Sequence, residues 1–138
     1  MPNAFQEPLP LRWLRAHGVH SLTPWYFIER EETRSALRDE YCTEVYKGSQ
    51  PVRDIYPFAR RQDNDDVAGF VVRPEGFTGE VVIAHLTWSG QPETKGYPTL
   101  VQFPDFWNWL KAVIDDSAEW CSEEDLPDIE PVQLPPDP

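Results

Sequence analysis

Between Glu80 and Trp88 lies the segment that most restricts how this chain can fold. Val81, Val82, Ile83, Ala84 and Leu86 crowd apolar side chains onto both faces of an extended backbone. Such a strand is stable only when both faces are covered, so it belongs in the middle of a layered structure. The rest of the chain must supply that cover. Phe106 to Asp116 fits one layer, because Phe106, Trp109, Leu110, Val113 and Ile114 form a helical apolar stripe. Asp105 stands where its carboxylate can accept from the orphan amides of the first turn. Glu29 to about Val45 fits the other, with Thr33, Ala36, Leu37, Tyr41 and Val45 recurring at three- and four-residue spacing. Its early acids, Glu29, Glu31 and Glu32, suit the positive end of a helix dipole.

More strands are expected beside the central one. Val52 to Arg61 and Asp66 to Arg73 read as a pair, and Gln62-Asp63-Asn64-Asp65 reads as their hairpin tip, since Asn and Asp tolerate positive φ. Pro57 cannot donate to a ladder, so it should lie at an edge or a bulge. Pro74 to Gly79 makes the next turn. Upstream, Thr23-Pro24 reads as a helix opening before the core anchors Trp25, Tyr26, Phe27 and Ile28. Leu11, Trp13 and Leu14 anchor the lead-in, with a short helical turn at Leu11–His17. At 138 residues the chain suits one domain. The expected division is a lead-in over 1–22, a folded body over 23–121 and an acidic, Pro-rich, weakly ordered tail over 122–138.

Charge restricts function. The chain carries 24 acids against 12 bases, a formal charge of −12. That surface repels phosphate backbones, which argues against nucleic-acid binding and for a basic protein partner. From Ser117 onward there are seven acids, five prolines and no Lys or Arg. Residues 1–116 therefore hold 17 acids and 12 bases, and the end of the chain supplies over half of the net charge. Arg30, Arg34 and Arg38 form a like-charged row at i, i+4 spacing. It reads either as a row offset by acids such as Glu31 and Asp39, or as a basic strip for a partner's carboxylates. Cys42 and Cys121 sit in no metal or redox spacing and are expected to be free thiols in a reducing compartment. The N-terminus lacks a signal-peptide pattern, and no apolar run approaches a membrane span, so a cytoplasmic location is expected.

Motifs for chemistry are missing: there is no P-loop, no G-x-G-x-x-G, no nucleophile elbow and no zinc spacing. His17 and His20 lie three apart without a third ligand in view. His85 reads as a structural histidine within the central strand. Asp63, Asp65 and Asp66 begin like a calcium loop, but Ala68 stands where the loop needs Gly. That cluster reads either as a hairpin tip held by Asx hydrogen bonds or as an acidic prong for a basic partner. Trp88, Trp107 and Tyr97 read as half-buried packing or as interface anchors. No catalytic, metal or cofactor residue is assigned, and the chain reads as a non-enzyme.

The block Pro57-Phe58-Ala59-Arg60-Arg61-Gln62-Asp63-Asn64-Asp65-Asp66-Val67-Ala68-Gly69-Phe70 resembles the SUKH superfamily, the Smi/Knr-type domain. Its context agrees: Pro24 to Ile28 upstream, Val81 to His85 downstream, and Phe103 to Asp116 with Trp107 and Trp109. The resemblance spans about residues 22–116. It departs from the pattern at Leu86-Thr87-Trp88, where a more acidic strand end is expected. The resemblance implies an α+β domain with a central, mostly antiparallel sheet flanked by helices. For bacterial members it implies an immunity protein that binds and neutralises a cognate polymorphic toxin, often a nuclease, by covering its active surface. A regulatory or scaffold interaction domain without a toxin is the alternative. The family carries over no binding residue, so charge and aromaticity alone nominate Asp63, Asn64, Asp65, Asp66, Glu75, Trp88, Asp115 and Asp116 for partner contact.

Overall fold

The computed structural model describes residues 6–47, 54–64, 66–85 and 99–129. Its elements are α1 (Leu9–Ala16), β1 (Ser21–Leu22), β2 (Trp25–Phe27), α2 (Glu31–Lys47), β3 (Asp54–Arg61), β4 (Asp66–Arg73), β5 (Gly76–His85), β6 (Thr99–Phe103), α3 (Phe106–Trp120) and α4 (Leu126–Ile129). The six strands form one sheet in sequence order, β1-β2-β3-β4-β5-β6, and every neighbouring pair is antiparallel. The class is α+β.

The sheet buries both faces, as the Val81–Ala84 run requires. On one face Trp25, Phe27, Phe58, Phe70 and Val81 meet Leu11 of α1 and Phe106, Trp109 and Val113 of α3. On the other, Ile55, Val67, Val71, Val82 and Ala84 meet Leu37 and Tyr41 of α2. Alternation along β5 explains the split, because neighbouring side chains point to opposite faces. Phe58 is fully buried, with ring contacts to Phe27, Phe70, Phe106 and Trp109 at 4.6 to 6.3 Å between centroids. Among the described residues the Trp109 indole N–H has no hydrogen-bond acceptor. Its ring stands perpendicular to Phe58, at 82° and 4.8 Å.

Local signals placed several elements correctly. β4 runs Asp66–Arg73, and the Asp105 carboxylate accepts from the Asn108 amide at 2.8 Å, capping α3. Pro57 sits at a register shift between Pro57 and Ala59, and β2 has already ended opposite Ala59. Gly69 pairs with Pro57 there, and a Cβ on it would come within 3.2 Å of Ile55 and the Tyr56 carbonyl. That close approach explains the glycine.

Other expectations are corrected. Thr23-Pro24 opens no helix: it forms the turn between β1 and β2, with a cis peptide. Trp25, Tyr26 and Phe27 alternate buried, exposed, buried, because pairing with β3 outweighs the local helix signal. Arg34 belongs to no surface strip. It is 6 % exposed and fills the gap where β2 leaves β3. Its guanidinium donates from Nε to the Pro57 carbonyl (2.9 Å), from Nη2 to the Ile28 carbonyl (3.0 Å) and from Nη1 to Glu31 (2.7 Å). Only the planar arginine fork serves three such acceptors at once. Ala36 and Ile114 face solvent, since each helix touches the sheet along a narrower line than its apolar stripe. The boundary at residue 22 falls inside the β1–β2 pair, and Leu11 of the lead-in is 2 % exposed. α4 lies within the expected tail, with Leu126 and Ile129 each 43 % exposed.

Candidate functional site

Two clefts differ in whether their polar groups are engaged within the fold. The larger, about 460 Å³, lies beside the free part of β3, between Glu7, Arg34, Arg38, Asp54 and Tyr56. Its charges are engaged internally. Arg38 grips Asp54 through two hydrogen bonds of 2.7 and 2.6 Å, Arg34 is saturated, and Glu7 is bound by Arg15 and by the Tyr56 hydroxyl at 2.5 Å. The Arg34 guanidinium also lies 4.6 Å from the Tyr56 ring centre. Burial opposes ionisation of Glu7, but the Arg15 and Tyr56 hydrogen bonds and the Arg15 and Arg34 charges outweigh it and hold its pKa below the usual value. Burial, and then donation to Glu7, push the Tyr56 phenol well above its usual range. This cleft is a clamp that fastens residues 7–15 to the sheet.

The smaller cleft, about 290 Å³, lies at the end of the sheet that carries the β3–β4 tip. Its wall is Trp25, Tyr26 and Ile129, and its polar groups are Ser21, Thr23, Gln62 and Asp125. Tyr26 is 39 % exposed because it points away from the side that Trp25 and Phe27 bury. Among the described residues the side chains of Ser21, Thr23, Tyr26 and Gln62 make no hydrogen bond, and Asp125 accepts only from Ser122. The groups needed to receive a partner are therefore free here and occupied in the larger cleft.

Of the acids at this end, Asp125 lines the smaller cleft. Asp63, Asp66, Asp115, Asp116, Glu119, Glu123, Glu124 and Asp125 lie at this end, against Arg60 and Arg61. Arg61 binds Asp63 at 2.7 Å and Asp116 at 3.1 Å, and so joins the hairpin tip to α3. Trp25 donates its indole N–H to the same Asp116 at 3.1 Å. Asp115, Glu119, Glu123 and Glu124 have no ion-pair partner among the described residues. Glu119 also stands in the last turn of α3, a turn with no basic residue. Carboxylates there oppose the helix dipole and cost stability.

The residues nominated from sequence divide. Asp63, Asp66, Asn64, Asp115 and Asp116 come together at this end, but most already hold structural contacts. Asn64 accepts from the Asp66 amide at 2.8 Å, the Asx hydrogen bond expected of a tip. Asp66 pairs with His85 at 2.8 Å, which gives that histidine its structural partner. Asp63 is thus held by Arg61, two residues earlier in the chain, and Asp66 by His85 across the β4–β5 pair. Glu75 is exposed in the β4–β5 turn at the opposite end of the sheet. Asp65 and Trp88 lie outside the described residues, as does Tyr97, while Trp107 is 42 % exposed.

Sequence reading missed Tyr26, Gln62, Glu119, Glu123, Glu124, Asp125 and Ile129. One signal was available: no cation follows Lys111. His17 and His20 do not converge, since His17 bonds the Trp13 carbonyl and His20 faces Glu29. Among the described residues no three His, Cys, Asp or Glu side chains gather to hold a metal ion. Cys42 and Cys121 are free thiols, and burial raises the Cys42 pKa. No helix among the described residues is long and apolar enough to cross a membrane. No family model, no curated protein sequence and no solved structure matches this chain.

Proposed function

We propose that this chain is a cytoplasmic protein inhibitor of the immunity type, which binds a basic toxin domain and covers its active surface. The observation that supports this reading is the acidic end of the molecule, where Asp115, Glu119, Glu123 and Glu124 have no ion-pair partner among the described residues and Asp125 lines a cleft with an aromatic wall. A toxin that acts on nucleic acid must present cations to phosphate, and an anionic rim competes for those cations. Long-range attraction speeds the encounter, and desolvated aromatic contacts slow dissociation. The SUKH resemblance agrees with this assignment.

Co-expression with any toxin domain that a neighbouring gene encodes tests it. Growth should be rescued and a complex should co-purify, with an association rate that falls as salt rises. The variant Asp115→Lys/Glu119→Lys/Glu123→Lys/Glu124→Lys should keep its fold and lose rescue. Full rescue by that variant would remove the acidic end from the interface. Toxin and inhibitor that neither co-purify nor rescue would leave the scaffold alternative in its place.

A further inference from the structure

We infer that the 290 Å³ cleft receives an arginine side chain of the partner, flanked by an apolar residue. This deepens the reading above and rests on it. The chemistry of the wall selects the ligand. Tyr26 offers a half-exposed ring, and a guanidinium stacks on such a ring more readily than a strongly hydrated ammonium. Asp125 provides a carboxylate with only Ser122 as donor among the described residues, and the Gln62 amide oxygen and the Ser21 and Thr23 hydroxyls are further acceptors. Five fixed donors can reach several acceptors at once, where an ammonium acts as a point charge. Ile129 on the same wall gives an adjacent apolar side chain something to cover.

The surrounding charge favours the same ligand. Eight carboxylates stand at this end, and Arg61 is already bound by two of them. Arg60, opposite Tyr26 in the β2–β3 ladder, has no ion-pair partner among the described residues. It is a cation that an incoming guanidinium meets, so removing it should tighten binding.

The test uses the whole chain and a synthetic probe, acetyl-Ile-Arg-Ile-amide, followed by two-dimensional amide NMR. Saturable shifts are expected at Tyr26, Gln62 and Asp125. The citrulline version, which keeps the shape and removes the charge, should bind at least about tenfold more weakly, the scale of a charge-assisted hydrogen bond. Tyr26→Ala should weaken binding about two- to fivefold, the worth of an exposed cation–π contact, with the amide spectrum otherwise retained. Arg60→Gln should strengthen it.

Equal binding of the arginine and citrulline probes overturns the inference. Shifts confined to Asp115, Glu119, Glu123 and Glu124 leave the acidic end as the interface and remove the cleft. No shift at this end at all defeats both readings. Shifts at Tyr26 and Gln62 that follow protein concentration without peptide assign the cleft to a second copy of the chain instead.

Discussion

Reversing one charge at the end of α3 should make this protein more stable and worse at its proposed task. Glu119 is exposed one residue before the end of the helix, four residues after Asp115, and no basic residue lies in that last turn. A carboxylate at this position opposes the helix dipole by about 0.3–1 kcal/mol, and a lysine there would gain about as much. The Asp115–Glu119 pair at i, i+4 changes from repulsive to attractive, a further ~0.4–1 kcal/mol in the favourable acid-before-base order. Allowing for exposure and screening, Glu119→Lys should stabilise by about 1–2 kcal/mol at low ionic strength and by about half that at physiological salt. With an unfolding entropy of about 2.1 cal/mol/K per residue, each kcal/mol raises the Tm of a chain this size by about 3.5 °C. Calorimetry at low salt should therefore show a gain of about 4–7 °C that shrinks as salt is added. Net charge also changes, from −12 to −10 as one acid becomes one base. Glu75→Lys makes the same net change in the β4–β5 turn, outside any helix, and is the control. If both variants raise Tm equally, general charge relief is responsible and the helix-end argument is wrong. An unchanged or lower Tm for Glu119→Lys would refute it outright.

Three further outcomes follow from the geometry. Arg34→Met leaves Glu31 and two buried carbonyls without their donor, so urea unfolding should show a loss of about 3–5 kcal/mol. Arg34→Lys should recover little of it, because one ammonium cannot reach all three acceptors. Glu7 has a pKa below its unfolded value, so its contribution is present above that unfolded value and is lost as pH falls through the folded one. Glu7→Gln should flatten that part of the acid limb of the Tm-versus-pH curve, while an unchanged limb would mean that the clamp is open in solution. Truncation after Cys121 removes the half-exposed α4, so Tm should move by less than about 2 °C. The same truncation should abolish binding of the arginine probe, because Asp125 and Ile129 are gone; a large fall in Tm would instead make α4 part of the core.

Much of the fold is legible in the order of residues, because the relevant physics is local. The both-sided apolar run before His85 demands a covered central strand, the 106–109–113 spacing makes α3 amphipathic, and Asp105 can cap only the helix that follows it. The hairpin tip and the extent of β4 follow from the same short-range rules. What stayed hidden depends on pairing across the chain. Whether Trp25-Tyr26-Phe27 forms a strand is decided by Arg61 and Ala59 opposite it, and that pairing also turns Tyr26 outward. Arg34 looks like one of three surface cations until the early end of β2 creates a buried gap for it. The carboxylates nominated from composition look equivalent in sequence. Only folding brings Asp116 to Trp25, 91 residues away, and so separates acids that hold the structure together from those that face outward unpaired.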